Sequence, residues 1–235
     1  MRAIIAAALT SLALAGCVAS PAPAPAPSAP RAPVIDRVSS ATAVTNFNAA
    51  VSRVEPAAEA ICRQRAPRSN CDFLIRVDPN PNAPANAFQS LTRGGRPVLT
   101  FTRALIADAR NADEIAFVIG HESAHHIENH IARQQQSAAT GAILGGIIGA
   151  VAGADAGVVN DLSRVGASVG GRRFSKDHEL EADALGTIIT DAAGYDPVRG
   201  AAFFSRIPDP GDRFLGTHPP NAQRIQIVRQ TAAQL

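Results

Sequence analysis

The residues best suited to chemistry stand in one pentapeptide, His121-Glu122-Ser123-Ala124-His125. On a helix, positions i and i+4 differ by about 40° in azimuth and one turn in height, so both imidazoles can grip one ion. Glu122 sits on the adjoining azimuth, within reach of a water on that ion, where it can act as general base. Zinc needs a third protein ligand and an open position. The candidates fall in Asp177-His178-Glu179-Leu180-Glu181-Ala182-Asp183. If this segment is helical, Glu179 and Asp183 share a face, and Glu181 is turned from Glu179 by about 200°. Glu179 is therefore read as the third ligand, and Asp183 as the acceptor that orients a ligand imidazole from behind. Glu181 reads as a solvated charge and His178 as peripheral. His126 and His130 project away from the His121/His125 face, which assigns them packing or hydrogen bonds behind the ligands. The expected cofactor is Zn2+, one per chain.

Elements must exist to position these groups. Asn111-Ala112-Asp113-Glu114 is a capping-box pattern, and Ile115–Gly120, apolar all round, predicts a buried helix behind it. That is the setting in which the HExxH motif of zinc peptidases works. Upstream, Val44, Phe47, Val51, Val54, Ala58 and Ile61 recur at helical spacing and predict one or two amphipathic helices over 35–65. Phe73–Val77 reads as a strand, a second starts near Asn86–Gln89, and Pro97–Thr102 is a third beyond the Gly94-Gly95 turn. Pro97 favours a sheet edge for that third strand, and Thr102–Ala109 should be helical. An extended substrate would then add to the edge strand near Val98–Thr102. Between the two metal segments lies 138–171, where Gly141, Gly145, Gly149 and Gly153 recur every fourth position. Ser137–Ala154 is free of charge. The expectation is a helical hairpin packed on itself, over the cleft or at a membrane surface, rather than a spanning segment.

The chain has 235 residues, 46% of them hydrophobic, and a net charge of +2. A balance so near neutral gives no electrostatic reason to expect nucleic acid as a partner. Its three cysteines cannot all pair within one molecule. Arg2 and the apolar run Ala3–Leu14 form a signal-peptide pattern too short to span a bilayer. The run ends in Leu14-Ala15-Gly16-Cys17, which resembles a bacterial lipobox. Residues 1–16 are then a lipoprotein signal peptide, and Cys17 is the lipidated residue that anchors the chain to a membrane. Residues 17–33 form a Pro/Ala-rich spacer, and 34–235 the domain. The expected location is the periplasm, on the outer membrane. In that oxidising compartment Cys62 and Cys71 are expected to form a disulfide, contributing roughly 2–3 kcal/mol by loop closure.

Several segments together resemble the zinc metallopeptidase family of CaaX prenyl proteases, the HtpX heat-shock protease and Oma-type proteases, most of all its bacterial periplasmic quality-control lipoproteins. They are Asn86-Ala87-Phe88 with the Gly95–Thr102 strand, Glu114–His125, Glu179–Asp183 with Gly186, Gly194-Tyr195-Asp196-Pro197, and Thr217-His218-Pro219-Pro220 with Arg224. The resemblance covers about residues 85 to 225. It implies an α+β, mainly helical catalytic domain, an HExxH zincin of gluzincin-like type, with a small sheet whose edge strand binds substrate. It implies His121, His125 and Glu179 as zinc ligands, Glu122 as base, and His218 and Arg224 near the active site, where Arg224 can help stabilise developing charge. His218 is either an oxyanion donor or an inhibitory cap on the metal. The implied substrates are unfolded or misassembled envelope proteins. Two departures stand out: Gln89–Arg93 replaces the family's leucine-proline step, and Lys176 stands where arginine is usual.

Two rival readings differ in class. Gly166-Ala167-Ser168-Val169-Gly170 is a formal GxSxG, which would make Ser168 a nucleophile if it followed a buried strand. A non-catalytic lipoprotein would use the glycine ridge for oligomerisation or membrane binding and leave Glu122 idle.

Overall fold

The computed structural model describes residues 38–173, 175–209 and 219–235. Cys17, the spacer and His218 lie outside the described residues. Helix α1 (Ser40–Arg65) starts where the Ser39 hydroxyl accepts from the Thr42 amide. Its buried stripe is Ala43, Phe47, Ala50, Val54, Ala58 and Cys62. That stripe is partly displaced from the larger residues that carry the sequence pattern, and Val44 is left exposed. The small side chains let α1 lie close against the central helix described below. At its end, Cys62 is joined to Cys71 by a disulfide.

Three short strands follow: β1 (Leu74–Val77), β2 (Ala87–Leu91) and β3 (Pro97–Phe101). Their order is β1-β3-β2, with β1 parallel and β2 antiparallel to β3. The expectation that Pro97–Thr102 forms an edge is thus corrected, because β3 is central and buried at every residue. Pro97 is tolerated there because it is the strand's first residue, where a missing N–H interrupts little of the ladder. The sheet's edges are β1 and β2. Thr102 ends β3 and opens α2 (Arg103–Asp108), its hydroxyl accepting from the amides of Leu105 and Asn86.

The central helix is α3 (Ala112–Ile127), capped by the Asn111 side chain accepting from the Glu114 amide at 3.0 Å. Glu114 reaches back to the Arg110 amide at 2.8 Å and forms a two-pronged pair with Arg206. Asp113 accepts from the Asp196 amide and pairs with Arg199. Both buried acids thus sit at the positive end of the helix dipole, each with an arginine partner. Helix α3 ends before Asn129, which adopts φ 55. The chain then runs into α4 (His130–Val151) and α5 (Ala156–Arg173), the expected hairpin. A Cβ at Gly141 would stand 2.1 Å from the Gly166 carbonyl oxygen, so the ridge closes backbone on backbone. Ile143, Leu144, Ile147, Ile148 and Val151 face outward. Among the described residues, no helix is long and apolar enough to cross a membrane. Ser168 lies inside α5 with no strand before it, which removes the nucleophile-elbow geometry.

Helix α6 (Ser175–Ala192) crosses α3 at a pair of glycines. A Cβ on Gly120 would lie 2.8 Å from the Gly186 carbonyl oxygen, and one on Gly186 would lie 2.9 Å from the His121 nitrogen. Helix α7 (Pro197–Ala201), capped by Asp196, packs on α3, and α8 (Asn221–Ala232) packs on α6. Replacing Gly186 with valine should therefore cost about 1–3 kcal/mol through forced separation of α3 and α6. Gly171→Ala, where a Cβ meets only the Ala138 Cβ at 3.6 Å, should be neutral or mildly stabilising. Denaturant unfolding of the two variants against the parent chain checks both outcomes.

Candidate metal centre

Helix α3 presents His121 and His125 one turn apart, and α6 brings Glu179 across the glycine crossing. The two Nε2 atoms are 3.0 Å from each other. Glu179 Oε2 is 3.6 Å from His121 Nε2, and its Oε1 is 3.4 Å from His125 Nε2. A tetrahedral zinc with bonds of about 2.0–2.2 Å separates its ligand atoms by about 3.3–3.6 Å. The two imidazole–carboxylate separations fall in that range and the Nε2 pair stands slightly closer, so the three side chains suit that ion with a small opening of the histidine pair. A donor set of two imidazoles and one carboxylate leaves a fourth position open. Among the described residues these three form a group whose ligand atoms lie within 4.8 Å of one another.

Behind His121, its Nδ1 lies 2.9 Å from Asp183 Oδ1. Asp183 is fully buried and grips Arg224 in a fork: Nε donates to Oδ2 and Nη2 to Oδ1, each at 2.7 Å. The guanidinium lies 3.9 Å over the Phe204 ring, and Nη2 is 3.5 Å from Glu179 Oε2. Burial opposes the charge on Arg224, yet Asp183, Glu179 and Glu122 together raise its pKa. Nε and Nη2 donate to Asp183 and Nη2 lies near Glu179, so Arg224 holds the ligand set in place.

Behind His125 stands His130, in the hydrogen-bonding part open to it, and beyond it a chain of contacts that helical projection misses. His125 Nδ1 is 2.9 Å from His130 Nδ1, and His130 Nε2 is 3.0 Å from Glu181 Oε2. Arg133 donates to both Glu181 oxygens, at 2.5 and 3.2 Å. His178 stacks on His130, with centroids 4.4 Å apart. Glu181 is thus exposed, as expected of a solvated charge, but is also a hydrogen-bonded partner of His130 and Arg133, while His178 is buried, not peripheral. Burial pushes the His130 pKa down to about 4, against the pull of Glu181. The Arg133 hydrogen bond brings Glu181 down to about 2. The available signal was Asn129: a left-handed residue ends one helix and restarts the next, so azimuths counted from His121 lose meaning there.

Glu122 is buried on α3 beside the ligands. Burial works against a charge on His125, but its hydrogen bond with Glu179 and the nearby Glu122 leave its pKa raised. His126 faces elsewhere, its Nε2 2.7 Å from the Asn70 carbonyl inside the loop closed by the disulfide. Tyr195 lies under Arg53 in the turn that leads to α7.

Residues 51–232 match the description of Peptidase family M48. Mitochondrial metalloendopeptidase OMA1 of Arabidopsis thaliana is 29% identical over 137 residues, which is 57% of this chain and 27% of that protein. The chain thus spans well under half the length of this relative.

Asp183→Ala leaves the buried Arg224 guanidinium without its counter-ion and should cost about 3–5 kcal/mol. An Asp183→Leu/Arg224→Met double variant should recover most of that loss without recovering zinc uptake. Urea unfolding and metal analysis of the same samples separate the two effects.

Proposed function

The chain belongs to peptidase family M48, and from that premise we propose that it is a zinc-dependent endopeptidase acting on unfolded or misassembled proteins of a bacterial cell envelope. The observation that carries the reading is the meeting of His121, His125 and Glu179 with Glu122 buried beside them. A zinc ion held by those three ligands would polarise a peptide carbonyl and acidify a water. Glu122 accepts the proton of the attacking water and returns it to the leaving amine nitrogen. Asp183 and Arg224 keep His121 in place through both transfers. An OMA1 relative described as a metalloendopeptidase supports cleavage within chains.

The central position of β3 moves the substrate strand. Of the two edge strands, β2 packs against α3 and has its outer side unpaired within the sheet. An extended peptide adds there by main-chain hydrogen bonds, which favours unfolded segments over folded ones. The Cys17 lipobox supports a membrane-anchored periplasmic location, and the Cys62–Cys71 disulfide suits an oxidising compartment. His218 retains the two parts the sequence offers it, oxyanion donor or inhibitory cap.

Zinc analysis of the full chain should return one ion per molecule, and casein cleavage should stop with chelator and resume with added zinc. Glu122→Gln should keep the zinc and lose about 10²–10⁴-fold in cleavage rate. No cleavage by the zinc-loaded parent would overturn the proposal in favour of a non-catalytic lipoprotein, and unchanged cleavage in Glu122→Gln would overturn Glu122 as the base.

A further inference from the structure

We propose that His130, Glu181 and Arg133 form a relay that fixes the proton of His125 and sets how tightly the site retains its metal. The inference rests on the metallopeptidase reading and extends it to three residues outside the ligand set. Its ground is the direction that each hydrogen bond is forced to take. The Nε2 atoms of His121 and His125 converge at 3.0 Å beside Glu179, so these nitrogens are the ones offered to an ion. An imidazole that gives its Nε2 lone pair to a metal carries its proton on Nδ1. His125 Nδ1 must therefore donate, and the atom facing it at 2.9 Å, His130 Nδ1, must accept. A neutral imidazole accepting at Nδ1 is protonated at Nε2, and that atom faces Glu181 Oε2 at 3.0 Å. Glu181 is in turn held by two Arg133 donors. One orientation of protons satisfies every contact. The opposite orientation places a proton on His125 Nε2 and blocks the metal.

The arrangement parallels the one behind His121, where Asp183 accepts directly and Arg224 holds it. On the His125 side an imidazole is interposed, and the arginine comes from α4 instead of α8. His178 stacked on His130 fixes the plane of that imidazole. His130, Glu181 and Arg133 are positioning residues: they act through His125 and do not touch a substrate.

Zinc affinity of the full chain, measured by competition with a chromogenic chelator, tests the relay without reference to activity. His130→Phe keeps a ring against His178 but removes the acceptor, and should weaken zinc binding about 10- to 100-fold. His130→Asn puts its Oδ1 near the place of Nδ1, can accept the same proton, and should restore most of that loss. Glu181→Gln leaves the histidine packing intact and should weaken binding by a smaller factor, about threefold to tenfold. Parent-like affinity in both His130→Phe and Glu181→Gln would overturn the relay. So would an asparagine variant no better than the phenylalanine one, since packing alone would then explain the loss. If His130→Phe does not fold, Glu181→Gln decides alone. A parent chain that takes up no zinc sinks instead the peptidase reading, and the relay with it.

Discussion

The approach of α3 to α6 at Gly120 and Gly186 sets the distances on which the metal centre depends. Each glycine stands where a Cβ would press on the other helix's backbone. A glycine inside a helix costs about 1 kcal/mol relative to alanine, and here two are used to bring main chains together. His121 follows Gly120 directly, and Asp183 lies one turn before Gly186, so this closeness passes straight into the 2.9 Å contact between their side chains. Thr187 and Thr190 are buried near the crossing, and each donates to a carbonyl within α6, so among the described residues no buried hydroxyl there is left unsatisfied.

From that crossing, α6 distributes three carboxylates to three tasks. Glu179 meets the two imidazoles, Asp183 stands behind the first, and Glu181, on the other side of the helix, reaches the chain behind the second. Each of the two rear acids is held by an arginine from a different helix. Acids so close together would raise one another's pKa. Here Arg133 keeps Glu181 well below the ordinary carboxylate range, while Arg224 supplies the positive charge beside Asp183 and Glu179.

The sequence makes legible whatever depends on local period. Asn111 caps α3 as its spacing with Glu114 predicts, and the i, i+4 rule brings His121 and His125 to one face and Glu179 and Asp183 to another. What it hides depends on partners distant in the chain or on breaks in period. Strand order is set by which neighbours flank β3, and Pro97 at the strand's head misleads because its missing donor falls where little is lost. The α1 stripe shifts because close packing on α3 favours Ala43 and Ala50 over Val44. His130 makes the hydrogen bond behind a ligand that the sequence leaves open to it, but its direct approach to His125 is hidden because Asn129 resets the helical phase. Cys17 and His218 belong to stretches outside the described residues, so their parts rest on sequence and resemblance.

The position of Arg224 gives the active centre an order in time. All three ligands and both rear acids are in place in the chain by Asp183, yet the cation that holds Asp183 stands 41 residues later, on α8. A chain still being synthesised can therefore own every ligand and remain incomplete. Until α8 docks on α6, Asp183 is a carboxylate without the arginine that pairs with it. The support behind His121 is thus complete only once α8 is in place.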